Sequence, residues 1–229
     1  MSRAPWTSLL LLVCTAGMAL GSPLNLISVP STDTQPVGTY RLDVDSISVI
    51  GTTDKYVNDL GSTGLSYGVC RGLDVGVEVL WGVDHPFFVH AKYAFPLSSE
   101  SEAFKMAVGG YALGLDNAPT HDIWYGVVSY AFGADRLHLG YFTGNDNTLR
   151  DLLAGTDESS GLLLGWDRTL GERWWVGVDY MAGKSTQGAL NVGVRYDLSP
   201  DSSLLCGFDF WNHDGIADTV NLQYQLSFR

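Results

Sequence analysis

Apolar and polar residues alternate along the last segment of the chain. Apolar side chains occupy every second position there, at Val220, Leu222, Tyr224, Leu226 and Phe228. The residues between them are polar and uncharged. A period of two is that of a β-strand, whose successive side chains point to opposite faces. The run is also long enough to cross a bilayer as a tilted strand, which takes about 9–11 residues.

The same alternation recurs along most of the chain. Clear runs lie at 73–81, 87–95, 137–142, 174–180, 190–196 and 204–210, and weaker ones at 38–50, 64–70, 103–115, 121–133 and 160–168. We therefore predict an all-β fold, a transmembrane antiparallel up-and-down β-barrel over 38–229 with about twelve strands, between about ten and fourteen. The alternation changes phase near Gly109 and Gly110, where we expect a β-bulge.

The connections between these runs alternate between tight and long. The long ones include 51–63 and 144–159. Barrels of the outer membrane have short periplasmic turns and longer external loops, so both barrel termini are predicted on the periplasmic side. Aromatic residues cluster at the strand ends, as in the two interfacial belts of such barrels. A secreted soluble β-protein is the alternative explanation of the alternation.

The first residues have the pattern of an export signal. Arg3 is followed by an apolar stretch over 8–20, and small residues at Ala19 and Gly21 suit a signal peptidase. We predict a signal peptide over 1–21 and an N-terminal periplasmic segment over 22–37. No later stretch is long and apolar enough for a transmembrane helix.

Composition narrows the function. The chain has 13 Lys and Arg against 25 Asp and Glu, a formal net charge of −12. This acidity argues against nucleic acid as a partner, because few groups would neutralise phosphates. Cys70 and Cys206 are interpreted as small apolar strand residues. We predict no cofactor and no metal site, and acidic loop residues such as Asp146 are interpreted as solvated.

The C-terminal letters QYQLSF, ending at Phe228, resemble the C-terminal β-signal of bacterial outer-membrane proteins. The chain departs from that family pattern by one further residue, Arg229. The resemblance implies an insertion signal at Tyr224, Leu226 and Phe228 that is recognised by the barrel-assembly machinery. It also implies a multi-pass barrel in the cell outer membrane, in contact with outer-membrane lipid.

If the apolar positions of each strand face lipid, the positions that alternate with them line the lumen. The candidate lumen-lining charged residues are Asp43, Asp45, Asp74, Glu78, Lys92, Asp179, Arg195 and Asp209. Glycine precedes several of the acids by two positions, which would leave room for water beside a carboxylate. An acidic lumen favours cations, so the leading hypothesis is a narrow porin-like pore that transports small solutes with a mild cation preference.

Other readings remain open. Cross-strand ion pairs of Arg195 with Asp179 or Asp209, and of Lys92 with Glu78, would suit a non-conducting structural or adhesion barrel with acidic outer loops. Leu149, Leu152 and Leu153 could form a lid. A rim hydrolase would use one of two His–Asp pairs, but we predict no catalytic residues. The solute and the oligomeric state stay open. The two candidate pairs are His121 with Asp122 and His213 with Asp214.

Overall fold

The chain folds into a closed β-barrel in a computed structural model that describes residues 25–51, 53–56, 60–82, 86–98, 102–114, 122–146, 149–151, 154–156 and 158–229. The barrel has twelve strands, each paired with its neighbours in chain order. They are β1 (Tyr40–Val49), β2 (Leu60–Cys70), β3 (Leu73–Leu80), β4 (Phe87–Pro96), β5 (Phe104–Gly114), β6 (Ile123–Phe132), β7 (Asp135–Gly144), β8 (Ser160–Leu170), β9 (Trp174–Met181), β10 (Ala189–Ser199), β11 (Ser202–Trp211) and β12 (Thr219–Phe228).

The first and last strands close the ring. Tyr40 pairs with Phe228 and Val49 with Thr219, so β1 and β12 are antiparallel over their whole length. Every other strand pair is antiparallel too, which confirms the predicted up-and-down barrel. We call the end where β1 begins and β12 finishes the terminal end, and the opposite end the loop end.

The predicted irregularity in β5 is a shift in strand register. Ala91 of β4 pairs with Gly110, but Val89 pairs with Leu113, so β5 carries one extra residue here. Ala112 lies in this stretch with φ of 55°, a left-handed conformation uncommon for a residue other than glycine. The bulge reverses the parity of β5 beyond Gly110, as the broken alternation indicated.

The outer surface of the barrel is apolar. Leu139 and Leu162 are about half exposed, at 54% and 50%, and so is Tyr141 at 55%. So many exposed large apolar side chains would be a liability in water but suit a lipid contact. Ring pairs at the terminal end form one aromatic belt. They include Tyr40–Tyr67, Tyr40–Phe228, Tyr93–Phe95, Tyr130–Phe132 and Trp174–Tyr196, with ring centroids 4.6–5.9 Å apart.

Residues 25–37 form what we call the N-terminal segment; residues 25–35 lie inside the ring of strands, whereas Pro36 and Val37 are exposed. Leu26, Ile27 and Val29 are buried there, with exposures of 3%, 1% and 0%. This differs from the expectation that 22–37 is a periplasmic segment. The reason is physical: apolar side chains gain about 1.5–3 kcal/mol each on burial, and the lumen offers the nearest apolar surface.

Loop residues fold inward at the loop end. Leu149 is fully buried, as the lid hypothesis expected, whereas Leu152 and Leu153 lie outside the described residues. Asp151 pairs with His213 at 3.3 Å, and Tyr56 forms a short bridge with Ile216. These contacts tie three loops together over the barrel. In the described part of the chain, no helix has the length and apolarity to cross a membrane.

Candidate functional site

The tip of the N-terminal segment is bound by one carboxylate. The backbone N–H groups of Ile27, Ser28 and Val29 all donate to Oδ2 of Asp179, at 2.8, 2.9 and 3.0 Å. Oδ1 of Asp179 accepts a hydrogen bond of 2.6 Å from Nδ2 of Asn191. Consecutive backbone N–H groups that converge in this way form an anion-binding nest. Asp179, predicted to line the lumen, thus anchors the segment.

A second attachment lies nearer the terminal end. Both Nη atoms of Arg136 donate to the carboxylate of Asp33, at 2.6 and 2.8 Å. Nε of Arg136 bonds Asp167 at 3.0 Å, and Asp167 also contacts Nε2 of His138 at 2.8 Å. Partial burial favours a raised pKa for Asp33, but the Arg136 guanidinium outweighs it and holds that pKa at about 2. Asp33 is therefore ionised at neutral pH.

The segment spans the full width of the barrel. Its tip is held by Asp179 of β9, while the N–H of Gln35 donates to Oδ2 of Asp74 in β3 at 3.2 Å. These strands are six apart in either direction around the ring, so they face each other across the lumen. Further contacts lie between these ends: Thr32 Oγ1 with Ser129 Oγ at 2.6 Å, Lys92 Nζ with the Ser31 carbonyl at 3.4 Å, and Gln223 Nε2 with the Ile27 carbonyl at 2.8 Å.

Inward-facing glycines make room for this segment. A Cβ at Gly165 would lie 2.3 Å from Leu26, and one at Gly193 would lie 3.1 Å from Ile27. At Gly207 it would lie 3.4 Å from Ile27. The sequence interpretation assigned such glycines to space for water beside an acid. In the structure, side chains fill that space.

One part of the interior is apolar. It comprises inward-facing residues of β5–β9 toward the loop end, and we call it the apolar side. Val29 of the N-terminal segment and Leu149 of a loop belong to the same cluster. Its buried members are Val29, Ala107, Ile123, Tyr125, Val127, Phe142, Leu149, Leu163 and Met181.

The inward face of β10–β12 and β1–β3 is polar, and we call it the acidic side. Asp43 and Glu78 both lie opposite Gly64, which has no side chain to separate them. Asp45 lies two positions further along β1, and its Oδ1 accepts no hydrogen bond from the described residues. Arg41 compensates part of this charge, because its Nε donates to Asp43 at 2.9 Å. Carboxylates outnumber the cations here.

The predicted ion pairs within the lumen are wrong in detail. Arg195 lies opposite Trp175 and Leu205 rather than opposite an acid, and its Nε pairs with Asp197 of the same strand at 3.1 Å. The register places Lys92 opposite Asp74, not opposite Glu78. The alternation along each strand predicted the correct face for these residues, but it did not predict their position along the barrel axis. The strand register, which the sequence pattern did not reveal, sets the partners.

A cavity of about 580 Å³ opens below the acidic side, at the terminal end. Gln35 of the N-terminal segment forms one wall, and Gln225 and Arg41 form part of another. Arg195 also lines it and stacks over the Trp175 ring at 5.2 Å. This cavity gives the polar part of the lumen an opening to solvent.

His213 and Asp214, one of the two proposed rim hydrolase pairs, do not form a pair in the structure. Nδ1 of His213 accepts a hydrogen bond from the N–H of Gly215 at 2.8 Å, and its Nε2 faces Asp151 rather than Asp214. His121 lies outside the described residues. Within the described ranges, no group of three or more His, Cys, Asp or Glu side chains is arranged to hold a metal ion.

Solved structures share this architecture. The KdgM porin aligns with a TM-score of 0.61 at 15% identity, over 82% of this chain and 99% of its own. The COG4313 outer membrane channel from Pseudomonas putida F1 aligns at 0.53 and 14% identity, over 86% and 98%. No protein-family model matches the chain, and no curated protein matches it by sequence. At these identities the likeness establishes the fold, that of bacterial outer-membrane barrels.

Proposed function

We propose that the protein is a narrow outer-membrane pore for small solutes, with a mild preference for cations. The observation that carries this proposal is the concentration of carboxylates on the acidic side. Asp43 and Asp45 of β1 and Glu78 of β3 face the lumen on either side of β2, and Arg41 is the nearest compensating group. Carboxylates in a low-dielectric passage attract cations and repel anions.

The N-terminal segment sets the width of this passage. It occupies the middle of the lumen and packs Val29 against the apolar side. The terminal-end cavity reaches Gln225, and we propose that the route continues from there past Gln223 and Asp45, which pair with each other between β12 and β1. A passage narrowed in this way suits ions and small polar molecules.

The structural neighbours support a channel but also suggest a contrast in charge. The KdgM porin has been solved in complex with disordered oligogalacturonate, and that structure aligns with a TM-score of 0.58 at 13% identity. Oligogalacturonate is a polyanion. The acidic side here would repel such a molecule, so we expect cationic or neutral solutes instead.

Single-channel conductance in a planar bilayer tests the proposal. With a salt gradient across the bilayer, the refolded protein should give discrete steps and a reversal potential that favours cations. The double variant Asp45→Asn/Glu78→Gln should move that potential toward zero. The matched control, Asp54→Asn/Glu102→Gln, removes the same charges at exposed positions outside the terminal-end cavity and should leave the potential unchanged.

A second function remains supported by one observation, the segment that fills the lumen. A non-conducting structural or adhesion barrel would need such a filled interior. Protein that is folded, as judged by heat-modifiable gel migration, and yet silent in the bilayer would favour this function over the pore. Steps with an anion preference would keep the pore and overturn the role assigned to the acids.

A further inference from the structure

Four polar residues on four successive strands meet near the loop end. They are Asp179 of β9, Asn191 of β10, Asp209 of β11 and Asn221 of β12, with exposures of 1%, 1%, 1% and 2%. Asn191 lies directly opposite both Asp179 and Asp209. Asn221 lies opposite Gly207, one step along the same inward face from Asp209. Their side chains therefore share one patch of the lumen wall.

Three oxygens in this patch accept no hydrogen bond from the described residues. They are Oδ1 of Asn191, Oδ1 of Asp209 and Oδ1 of Asn221. Asp209 does accept a hydrogen bond at its other oxygen, from Thr219 Oγ1 at 2.9 Å. The amide nitrogen of Asn191 is already committed to Asp179. Buried acceptors without donors are costly, and a group of them calls for a positive or proton-donating occupant.

The charge of the patch indicates which occupant fits. Asp179 and Asp209 lie on either side of Asn191 on the two strands next to it, so their two negative charges repel each other. The donors to the two carboxylates are all neutral: backbone N–H groups and the Asn191 amide at Asp179, and the Thr219 hydroxyl and the Asn221 amide at Asp209. Carboxylate and amide oxygens are the ligands that hard cations such as calcium prefer.

We infer that this patch is a calcium-binding site, with Asp209, Asn191 and Asn221 as the ligands. Asp179 orients Asn191 through its amide and completes the charge balance. The site lies beside Ile27, which would contact a Cβ at Gly207. Bound calcium therefore fastens the three strands next to the tip of the N-terminal segment. The inference does not depend on conduction, so a silent barrel would still bind the ion.

Equilibrium dialysis with radioactive calcium, on the refolded protein in detergent, tests the site directly. We expect one ion bound per chain, and a melting temperature that rises with calcium and falls with chelator. Asp209→Asn should abolish both effects. Asp201→Asn, the same change in the turn before β11, should preserve them.

A proton on Asp209 is the competing occupant, and the same variant separates the two. The amide of Asp209→Asn can donate a hydrogen bond as a protonated carboxyl does, so under that account the variant would be as stable as the original protein. No stoichiometric calcium binding would overturn the site, and so would calcium binding that persists in Asp209→Asn. If that variant does not fold, Asn221→Ser should weaken calcium binding about tenfold, and unchanged affinity would overturn the assignment.

Discussion

The two sides of the lumen differ in what fills them. On the apolar side, Val29 and Leu149 pack against the wall from two different parts of the chain. On the acidic side, Asp45 and Glu78 face a space that remains partly accessible to solvent. An apolar wall attracts the chain's own side chains, whereas a charged wall retains water or ions. One barrel thus combines a packed core with a polar passage.

Removing the N-terminal segment from the lumen should have the largest effect on the difference between the apolar side and the acidic side. We expect a chain whose residues 25–35 are replaced by glycine and serine to conduct severalfold better than the original, because the passage is no longer confined to the acidic side. Single-channel recording measures this. A disulfide between Thr32→Cys and Ser129→Cys, in a chain without Cys70 and Cys206, should hold the segment in place and keep conductance at its original level. Equal conductance with and without the segment would contradict the comparison.

Removing the anchor should release the tip of the segment. Asp179→Ala deprives three backbone N–H groups and the amide of Asn191 of their acceptor. Buried donors left without acceptors cost about 1–3 kcal/mol each, so we expect a loss of about 3 kcal/mol or more in the free energy of unfolding. Denaturant titration of the refolded barrel gives this value. Asp201→Ala should change the free energy of unfolding little. A similar loss in that control would mean that Asp179 has no specific role in anchoring the segment.

A smaller change tests the fit of the segment against the wall. Gly165→Ala places a Cβ 2.3 Å from Leu26, and we expect a cost of about 1–3 kcal/mol from overpacking. Gly126→Ala lies on the outer surface, where the added Cβ has its nearest neighbours at 4.0 Å, and it should stay within about 0.5 kcal/mol of the original. The same titration compares the two. An unchanged free energy of unfolding in Gly165→Ala would mean that the N-terminal segment can shift away from the wall without loss of stability.

Acid should loosen the attachment of Asp33 to Arg136. The pKa of Asp33 lies at about 2 in the folded protein and near 3.8 when free, so its pairing with Arg136 stabilises the segment fully above that higher value. This contribution is lost as the pH falls from about 4 through 2. Protease cleavage within 25–37, followed by mass spectrometry, should increase over that range. Asp33→Asn should already be cleaved at neutral pH, with less further change on acidification.

The strands were predictable because an apolar outer surface and an inward lumen face impose a strict period of two. Even the weak run at 103–115 is a strand, and its broken alternation reported the bulge near Ala112. The N-terminal segment was not predictable in the same way. Residues 25–37 form no regular element, so they carry no period. The apolar Leu26, Ile27 and Val29, together with inward glycines such as Gly193, are the signals that could have indicated a filled lumen.

Polar partners inside the lumen were also beyond the sequence pattern. Alternation assigned Arg195 and Asp209 to the inward face, but side chains on neighbouring strands meet only if their heights agree. A strand can slide by two residues without changing which face is apolar, and such a slide exchanges every partner. The pairing of Arg195 with Asp197 and the anchoring role of Asp179 therefore depend on register and on a distant segment. Neither can be inferred from the alternation of apolar and polar residues within one strand.

The segment that crosses from β3 to β9 also has a mechanical consequence. A ring of strands is bonded only around its circumference, so lateral pressure from a surrounding bilayer can flatten it into an ellipse with little loss of pairing. The N-terminal segment is held by Asp74 of β3 and by Asp179 of β9, so it links opposite sides of this ring as an internal strut. Flattening along that diameter would compress the strut, and widening would stretch its hydrogen bonds. The round cross-section is therefore maintained from within.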